Sequence, residues 1–189
     1  MDLAPSAVTH LTVAELEAGL DHIRVSPTDG GTLELIVRRP AEGEREVLEV
    51  GQLDLVAGLI GDSWLTRASR STPDGSPHPD MQLNVMNARA IALIAGHPDR
   101  RALAGDQLYL ELDLSEDNLP PGTRLAVGDA VIEVTAQPHR GCQKFSARFG
   151  VEALRFVNSE IGRTLRLRGL NARVVVPGTI RRGDRVEKY

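Results

Sequence analysis

Val127-Gly128-Asp129-Ala130-Val131-Ile132-Glu133-Val134-Thr135-Ala136-Gln137-Pro138-His139-Arg140-Gly141-Cys142-Gln143-Lys144-Phe145 contains a turn, a strand, a stop and a helix start in succession. Val127-Gly128-Asp129 is a hairpin signal, and Ala130 to Ala136 after it reads as a strand. Pro138 ends the pairing because it has no N–H to give a ladder. Gly141 permits a left-handed backbone or the close approach of a ligand. Gln143 to Phe149 then reads as a helix, with Phe145 and Phe149 four apart and directed to a core.

Reading outward adds more strands than helices. Leu108, Leu110, Leu112 and Leu114 alternate with Tyr109, Glu111 and Asp113, the period of a strand. Thr32 to Arg38 has the same period. Glu46 to Val50, Met81 to Met86, Ala172 to Val176 and Arg185 to Lys188 are further strands. Gly183-Asp184 before the last of them is a second hairpin signal. Thr12-Val-Ala-Glu15 is a capping box that starts a helix ending near Gly19 and Leu20. Asn87 caps a helix over Ala88 to Ala95, closed by Gly96 and followed by Pro98. Val151 to Val157 is a third short helix. Residues 68–80 hold three prolines and little to bury, so they form a loop that interrupts one domain rather than divides two. Strands and helices do not alternate regularly, which argues against a parallel βαβ sheet. The expected fold is mainly β (α+β), a barrel or folded sheet with a few short helices, in a single domain over residues 1–189.

Composition sets outer bounds. The chain has 189 residues and a formal net charge of -4. Residues 1–137 hold 10 Lys/Arg against 22 Asp/Glu, while residues 138–189 hold 12 against 4. Segments of opposite sign suggest that one face meets an anion. An apolar share of 41% with 25% charged argues against general disorder. No apolar run approaches the ~20 residues of a membrane helix, so no membrane partner is expected. Met1-Asp2-Leu3 opens no secretory signal. The lone cysteine, Cys142, forms no internal disulfide and cannot build a zinc ribbon or an iron–sulfur cluster. A reducing cytoplasm is therefore expected. Nucleic acid is not an expected partner, because no binding motif occurs and the larger part of the chain is acidic.

Cys142 falls at the start of a helix, near Arg140, Lys144 and His139. Helix dipole and neighbouring cations favour a thiolate, the form that binds metals and attacks electrophiles. The plainer reading is a small buried hydrophobe, common for free cysteine. A Cys–His pair with His139 as base is a further reading, although no acidic orienter for His139 is evident. The arginines from 148 to 185 read either as a solvated face or as a phosphate site built from bidentate forks. His10, His22 and His78 show no metal-ligand spacing, His97 reads as a capping or surface residue at the helix closure, and Asp113 to Asn118 lacks the spacing of a calcium loop.

Several of these segments together resemble the MOSC domain, the C-terminal domain of molybdenum cofactor sulfurases. They are Gly105-Asp106-Gln107-Leu108, Asp117 to Leu125, Val127 to Val134, Gln137-Pro138 with Gly141-Cys142-Gln143-Lys144-Phe145, and Val176 to Asp184. The resemblance covers about residues 80–188, with only a shortened version of the family's N-terminal strands fitting residues 1–60. It implies a MOSC-like β-barrel and a pterin-based molybdenum cofactor (molybdopterin), with Cys142 as metal ligand and catalytic residue. Arg140, Lys144 and Arg173, with His139, would face the cofactor and its phosphate. Asn87 and Arg89 resemble positions that contact the pterin. Relatives reduce N-hydroxylated compounds, which implies an oxidoreductase with a small-molecule substrate. One cysteine builds no iron–sulfur centre, so the electrons would come from a separate reductase. The alternative is a non-catalytic carrier or sulfur-transfer protein for the same cofactor. The pyridoxal-phosphate desulfurase domain of the sulfurases does not fit in this length.

Overall fold

The structure is a computed structural model that describes residues 10–69 and 72–189. The N-terminal reading at Met1-Asp2-Leu3, and Arg70 and Ser71 of the loop, lie outside the described residues. Thr12 accepts the Glu15 N–H, and Glu15 accepts the Thr12 N–H at 2.8 Å, so the capping box forms and starts α1 (Val13–Ala18). Gly19 parts it from α2 (Leu20–Arg24).

The strands follow: β1 (Gly31–Arg38), β2 (Glu46–Leu48), β3 (Val50–Asp54), β4 (Gly58–Leu59) and β5 (Leu83–Asn87). Asn87 caps α3 (Ala88–Ala95) through its side chain, and Gly96 closes it at φ 68. Then come β6 (Leu108–Glu111), β7 (Arg124–Val127) and β8 (Ala130–Val134). Three helices, α4 (Gln143–Phe149), α5 (Val151–Asn158) and α6 (Glu160–Thr164), lead to β9 (Leu170–Val176), β10 (Gly178–Arg181) and β11 (Arg185–Lys188).

Seven strands run side by side in the order β11-β7-β8-β9-β5-β6-β1, and β1 pairs back to β11, so the sheet closes into a barrel. The closing contact sets Gly31 opposite Val186 and Thr32 opposite Arg185. Farther along the same edge of β1, Ile36 to Arg38 pair with β2. Closure removes the open edges that would otherwise template aggregation. β10, β3 and β4 form a small antiparallel sheet beside the barrel.

The period-two pattern becomes inside and outside. Leu108 and Leu110 of β6 enter the barrel core with Leu33, Ile36, Val85 and Ile132. Tyr109 between them points outward, yet it is buried with Met86, Ile91, Phe145 and Phe149 under the helices. The helical layer thus covers one outer face of the barrel, and two apolar layers share one sheet.

Several readings differ from the sequence analysis, and the following bear on the topology. The strand expected over Leu108 to Leu114 ends at Glu111. Leu112 and Leu114 still fill the core while the Asp113 N–H donates to the Pro27 carbonyl at 2.8 Å. The segment Glu46 to Val50 divides between β2 and β3, which belong to different sheets. Gly183-Asp184 is not a hairpin between paired strands: it carries the chain from β10 in the small sheet to β11 in the barrel. One parallel pair exists, β5 with β6, and α3 lies in its crossover. A single βαβ unit is therefore built into an otherwise antiparallel barrel. No helix among the described residues is long and apolar enough to cross a membrane.

Leu33 is fully buried in β1, the strand that closes the barrel, whereas Leu65 is exposed. Leu33→Ala should cost about 2–5 kcal/mol in urea unfolding, and Leu65→Ala less than about 1 kcal/mol. Equal losses at the two sites would show that β1 is not the core strand described.

Candidate functional site

Beyond β8 the chain leaves the barrel through residues 135–142 and passes over a buried polar frame. Asp106 is fully buried, and its carboxylate accepts from Arg168 Nη1 at 2.7 and 2.9 Å. His139 Nε2 lies 2.8 Å from the same carboxylate. Burial raises the cost of ionising Asp106, but Arg168 and His139 outweigh it and hold the carboxyl at about 2. His139 moves down, first because it is desolvated and second because the Arg168 cation is beside it. The ring is thus neutral near pH 7, with the Nε2 proton directed at Asp106.

A parallel frame stands beside this one. Arg39 grips Asp62 through Nε at 2.8 Å and Nη2 at 2.7 Å. Its Nη1 donates to Asn84 Oδ1 at 3.0 Å and to the Gly105 carbonyl at 2.9 Å. Asn84 donates to Asn171 on β9 at 2.7 Å, and Asn171 donates to the Gln137 carbonyl at 3.1 Å. That chain of bonds ties the start of the Cys142 loop to three barrel strands.

A cavity of about 810 Å³ opens on this frame. Arg39, Arg45, Arg67, Lys144, Arg148 and Arg168 line it, and Glu42 is the one carboxylate in its wall. Asp62, Asp106 and Glu42 pair with Arg39, Arg168 and Lys144. Among the described residues, Arg45, Arg67 and Arg148 make no ion pair with a carboxylate. Arg148 Nη1 donates to the Leu103 carbonyl at 2.8 Å. Arg45 Nε is buried without a hydrogen-bond partner among the described residues. Burial, then the neighbouring cations Arg148 and Arg39, pull the Arg45 guanidinium below its ordinary value. Gly105 (φ +83) leaves room for this meeting: a Cβ there would sit 2.9 Å from Arg45 Nη2 and 3.5 Å from Arg148 Nη1. Cations gathered in excess of the carboxylates near them, Glu42 and Asp62 beside Arg67, form a cradle for an anion.

Cys142 lines this cavity as the exposed N-cap residue of α4, in extended conformation. Phe145 fixes that helix from below, with the Arg168 guanidinium 5.0 Å from its ring centroid. No group of three His, Cys, Asp or Glu among the described residues could hold a metal ion unaided. Cys142 is therefore the one soft donor at the cavity, and a metal there needs ligands from elsewhere.

The sequence-derived candidates divide between places. Cys142 and Lys144 share the large cavity, while His139 and Arg140 line a smaller one behind the 137–142 loop. Arg173 lies outside both cavities and pairs with Glu133 at 2.6 Å and Asp80 at 3.4 Å. Asn87 spends its side chain on Ala90 N–H, Ser26 and the Leu112 carbonyl. Arg89 pairs with Glu111 and donates to the His22 carbonyl. The orienter that His139 lacked in the sequence is Asp106, 33 residues away. Sequence reasoning also missed Arg39, Arg45 and Arg67, which come from the acidic part of the chain. Only the Arg38-Arg39-Pro40 end of β1 offered any signal, and it marks no chemistry by itself.

Comparison with known proteins bears on the family and the fold. The family model described as MOSC domain matches residues 78–187. The YuaD protein from Bacillus subtilis superimposes with a TM-score of 0.61 at 18% identity, covering 84% of this chain and 96% of that one. YiiM from Escherichia coli gives 0.54 at 20% identity over 84% and 69% of the two chains. YiiM from Geobacillus stearothermophilus gives 0.52 at 16% identity over 86% and 73%. At these identities the likeness shows the fold. No curated protein matches the chain.

The buried frame has a pH signature. His139 is depressed from 6.5, so its contribution to stability is complete above that value and falls as the pH drops below it, when the unfolded chain takes up the proton first. Asp106 is depressed from 3.8 to about 2, and its contribution is lost on acidification across that lower window. Urea midpoints at about pH 7.5 and about pH 5.5 should fall for the native chain and fall less for His139→Gln. An identical fall in the two proteins contradicts the buried neutral imidazole.

Proposed function

Because the chain belongs to the MOSC domain family, we propose that its large cavity holds a molybdopterin-type molybdenum cofactor, with residues 1–189 acting as one domain. The observation that carries this reading is the position of the sole cysteine beside a group of arginines that have no carboxylate partners. The residues present fit the group. A thiolate is a soft, strongly donating ligand for a redox metal, so Cys142 would bond the molybdenum. Arg45 carries an unsatisfied buried N–H, and with Arg148 and Arg67 it would hold the cofactor phosphate. Arg39 and Arg168, fixed by Asp62 and Asp106, would form a rigid floor. Asn87, Arg89 and Arg173 take no part, because their bonds are completed within the protein.

When bound, the cofactor supplies two-electron redox chemistry, and the protein supplies binding, orientation and charge. The substrate class implied is an N-hydroxylated small molecule that gives up its oxygen. The electrons would come from a separate reductase, because a single cysteine builds no relay cluster. Exposure of Cys142 leaves the metal position open to substrate from the cavity side. The same exposure favours the second reading, a carrier that receives and passes on the cofactor or its sulfur. Turnover of a hydroxylamine with an added reductase distinguishes them, since a carrier binds cofactor without turnover.

Protein purified from a cofactor-producing host should contain near-stoichiometric molybdenum and pterin. Cys142→Ala should lose most of the metal. The Arg45→Gln/Arg148→Gln double variant should retain roughly ten-fold less pterin, the scale of lost charge-assisted bonds. Absence of molybdenum from the native chain, or equal metal in Cys142→Ala, rejects the proposal.

A further inference from the structure

The smaller cavity, about 260 Å³, lies behind the 137–142 loop and has a charge imbalance of its own. Arg140 reaches it from the loop, Arg163 from the last turn of α6, and Arg166 from the turn that follows. Glu116 is the one carboxylate in its wall. Arg168 also lines it, but Asp106 already neutralises that side chain. Among the described residues, Arg140, Arg163 and Arg166 make no ion pair with a carboxylate within 4 Å, and Glu116 acts on Arg166 only through a longer-range attraction.

The turn that carries Arg166 has an unusual backbone. Arg166 is the one non-glycine residue with positive φ (47°) among the described residues. Conformations of that kind are costly and gather at functional sites. It is held there by Leu167 N–H to the Gly162 carbonyl at 2.8 Å and by Gly169 N–H to its own carbonyl at 2.7 Å. Its Nη1 donates to the Leu119 carbonyl at 2.7 Å, which aims the guanidinium. Gly169 (φ +103) passes so close that a Cβ would lie 2.2 Å from the Val85 carbonyl oxygen and 3.3 Å from the His139 ring. His139 completes the wall, with one ring nitrogen committed to Asp106.

Size limits the occupant. Pockets for drug-sized ligands run from about 300 to 1,000 Å³, so this one suits a smaller guest. Guanidinium forks match the oxygens of phosphate and carboxylate. We propose that the small cavity is a binding site for a small oxyanion, phosphate or the carboxylate of a small metabolite, held by Arg140, Arg163 and Arg166 beside His139. The site is distinct from the Cys142 cavity and does not depend on a cofactor being bound there.

The test follows the His139 ring by NMR in the full-length protein, with the resonances assigned by His139→Gln. Inorganic phosphate and malonate are titrated separately at constant ionic strength, so that general screening is held fixed. The expected result is a saturable shift of the His139 resonances, and the anion with the lower apparent Kd identifies the preferred oxygen chemistry. Arg140 and Arg163 are exposed, so the Arg140→Gln/Arg163→Gln variant removes charge with little loss of packing. It should raise the apparent Kd about ten-fold or more. Arg45→Gln/Arg148→Gln should leave it within about two-fold, because those residues line the other cavity. No saturable shift with either anion overturns the proposal. So does a shift that survives the first double variant, or one that disappears in the second and thereby places the anion beside Cys142.

Discussion

Two buried carboxylates, Asp62 and Asp106, dictate the mouth of the barrel. An ionised carboxylate away from water is expensive unless it is paired and hydrogen-bonded. Each recruits an arginine, Arg39 for Asp62 and Arg168 for Asp106, and each arginine is itself more than nine-tenths buried. Removing one partner of such a pair typically costs about 3–5 kcal/mol, since the other charge is stranded. The pairs hold their surroundings in one arrangement. Arg39 fixes Asn84 and Gly105, and Asn84 fixes Asn171, which holds the loop leading to Cys142. His139 is fixed from the same carboxylate as Arg168. The cysteine is exposed, yet the loop that carries it is braced by partly buried bonds from Asn171, Asp106 and Asn158.

Local patterns made most of the fold legible. Capping at Thr12 and Asn87, closure at Gly96, and the alternation in β1 and β6 each depend on residues within a few positions of one another. The structure keeps the caps, the closure and the alternation within β6, but a bulge between Leu33 and Leu35 breaks the alternation expected to set Leu33, Leu35 and Val37 on one face: Leu33 and Ile36 enter the barrel core, while Leu35 and Val37 pack under the helices. The readings that failed depend on distant partners. Nothing within Glu46 to Val50 says that the segment must divide between a barrel strand and a second sheet. That division follows from β3 pairing with β10, more than 120 residues later. Gly183-Asp184 makes the turn its residues suggest, but the flanking strands find partners elsewhere. Tyr109 reads as the outer position of a half-exposed strand and becomes core because α3, α4 and α5 cover that face.

The site was legible at one residue and at little else. Cys142 stood out because it is the only cysteine and sits between a proline stop and a helix start. Its arginine neighbours did not, because charge averaged over the chain carries no direction. The basic excess of residues 138–189 pointed to an anion site built from that segment, yet Arg39, Arg45 and Arg67 of the large cavity lie outside it. Much of the basic segment is spent on exposed pairs such as Arg173 with Glu133 and Arg182 with Glu49, which contribute little to stability. The Asp106 that orients His139 is in the quoted Gly105-Asp106-Gln107-Leu108 motif, but only the pairing of β6 with β5, which in turn pairs with β9, brings it under the loop.

Residues 1–77 lie outside the family match, yet β1 within that range is part of the barrel. The matched segment contains β5 to β11 but not β1, and β1 is the strand that joins β6 to β11. Without it the barrel would have two open edges and would lose Leu33 and Ile36 from its core. The same outlying region, from the end of β1 to the 3-10 turn at Ser63–Thr66, supplies Arg39, Arg45, Arg67 and the Asp62 that holds Arg39. One strand must be present to close the sheet, and its C-terminal end and the segment after it reach the barrel mouth. Arg39, Arg45 and Arg67 on that stretch are thereby brought to the cavity that Cys142 lines, while Arg38 turns away to Glu46. The strand that closes the barrel leads directly into the segment that carries half of the cavity's cations, and that segment has no motif of its own.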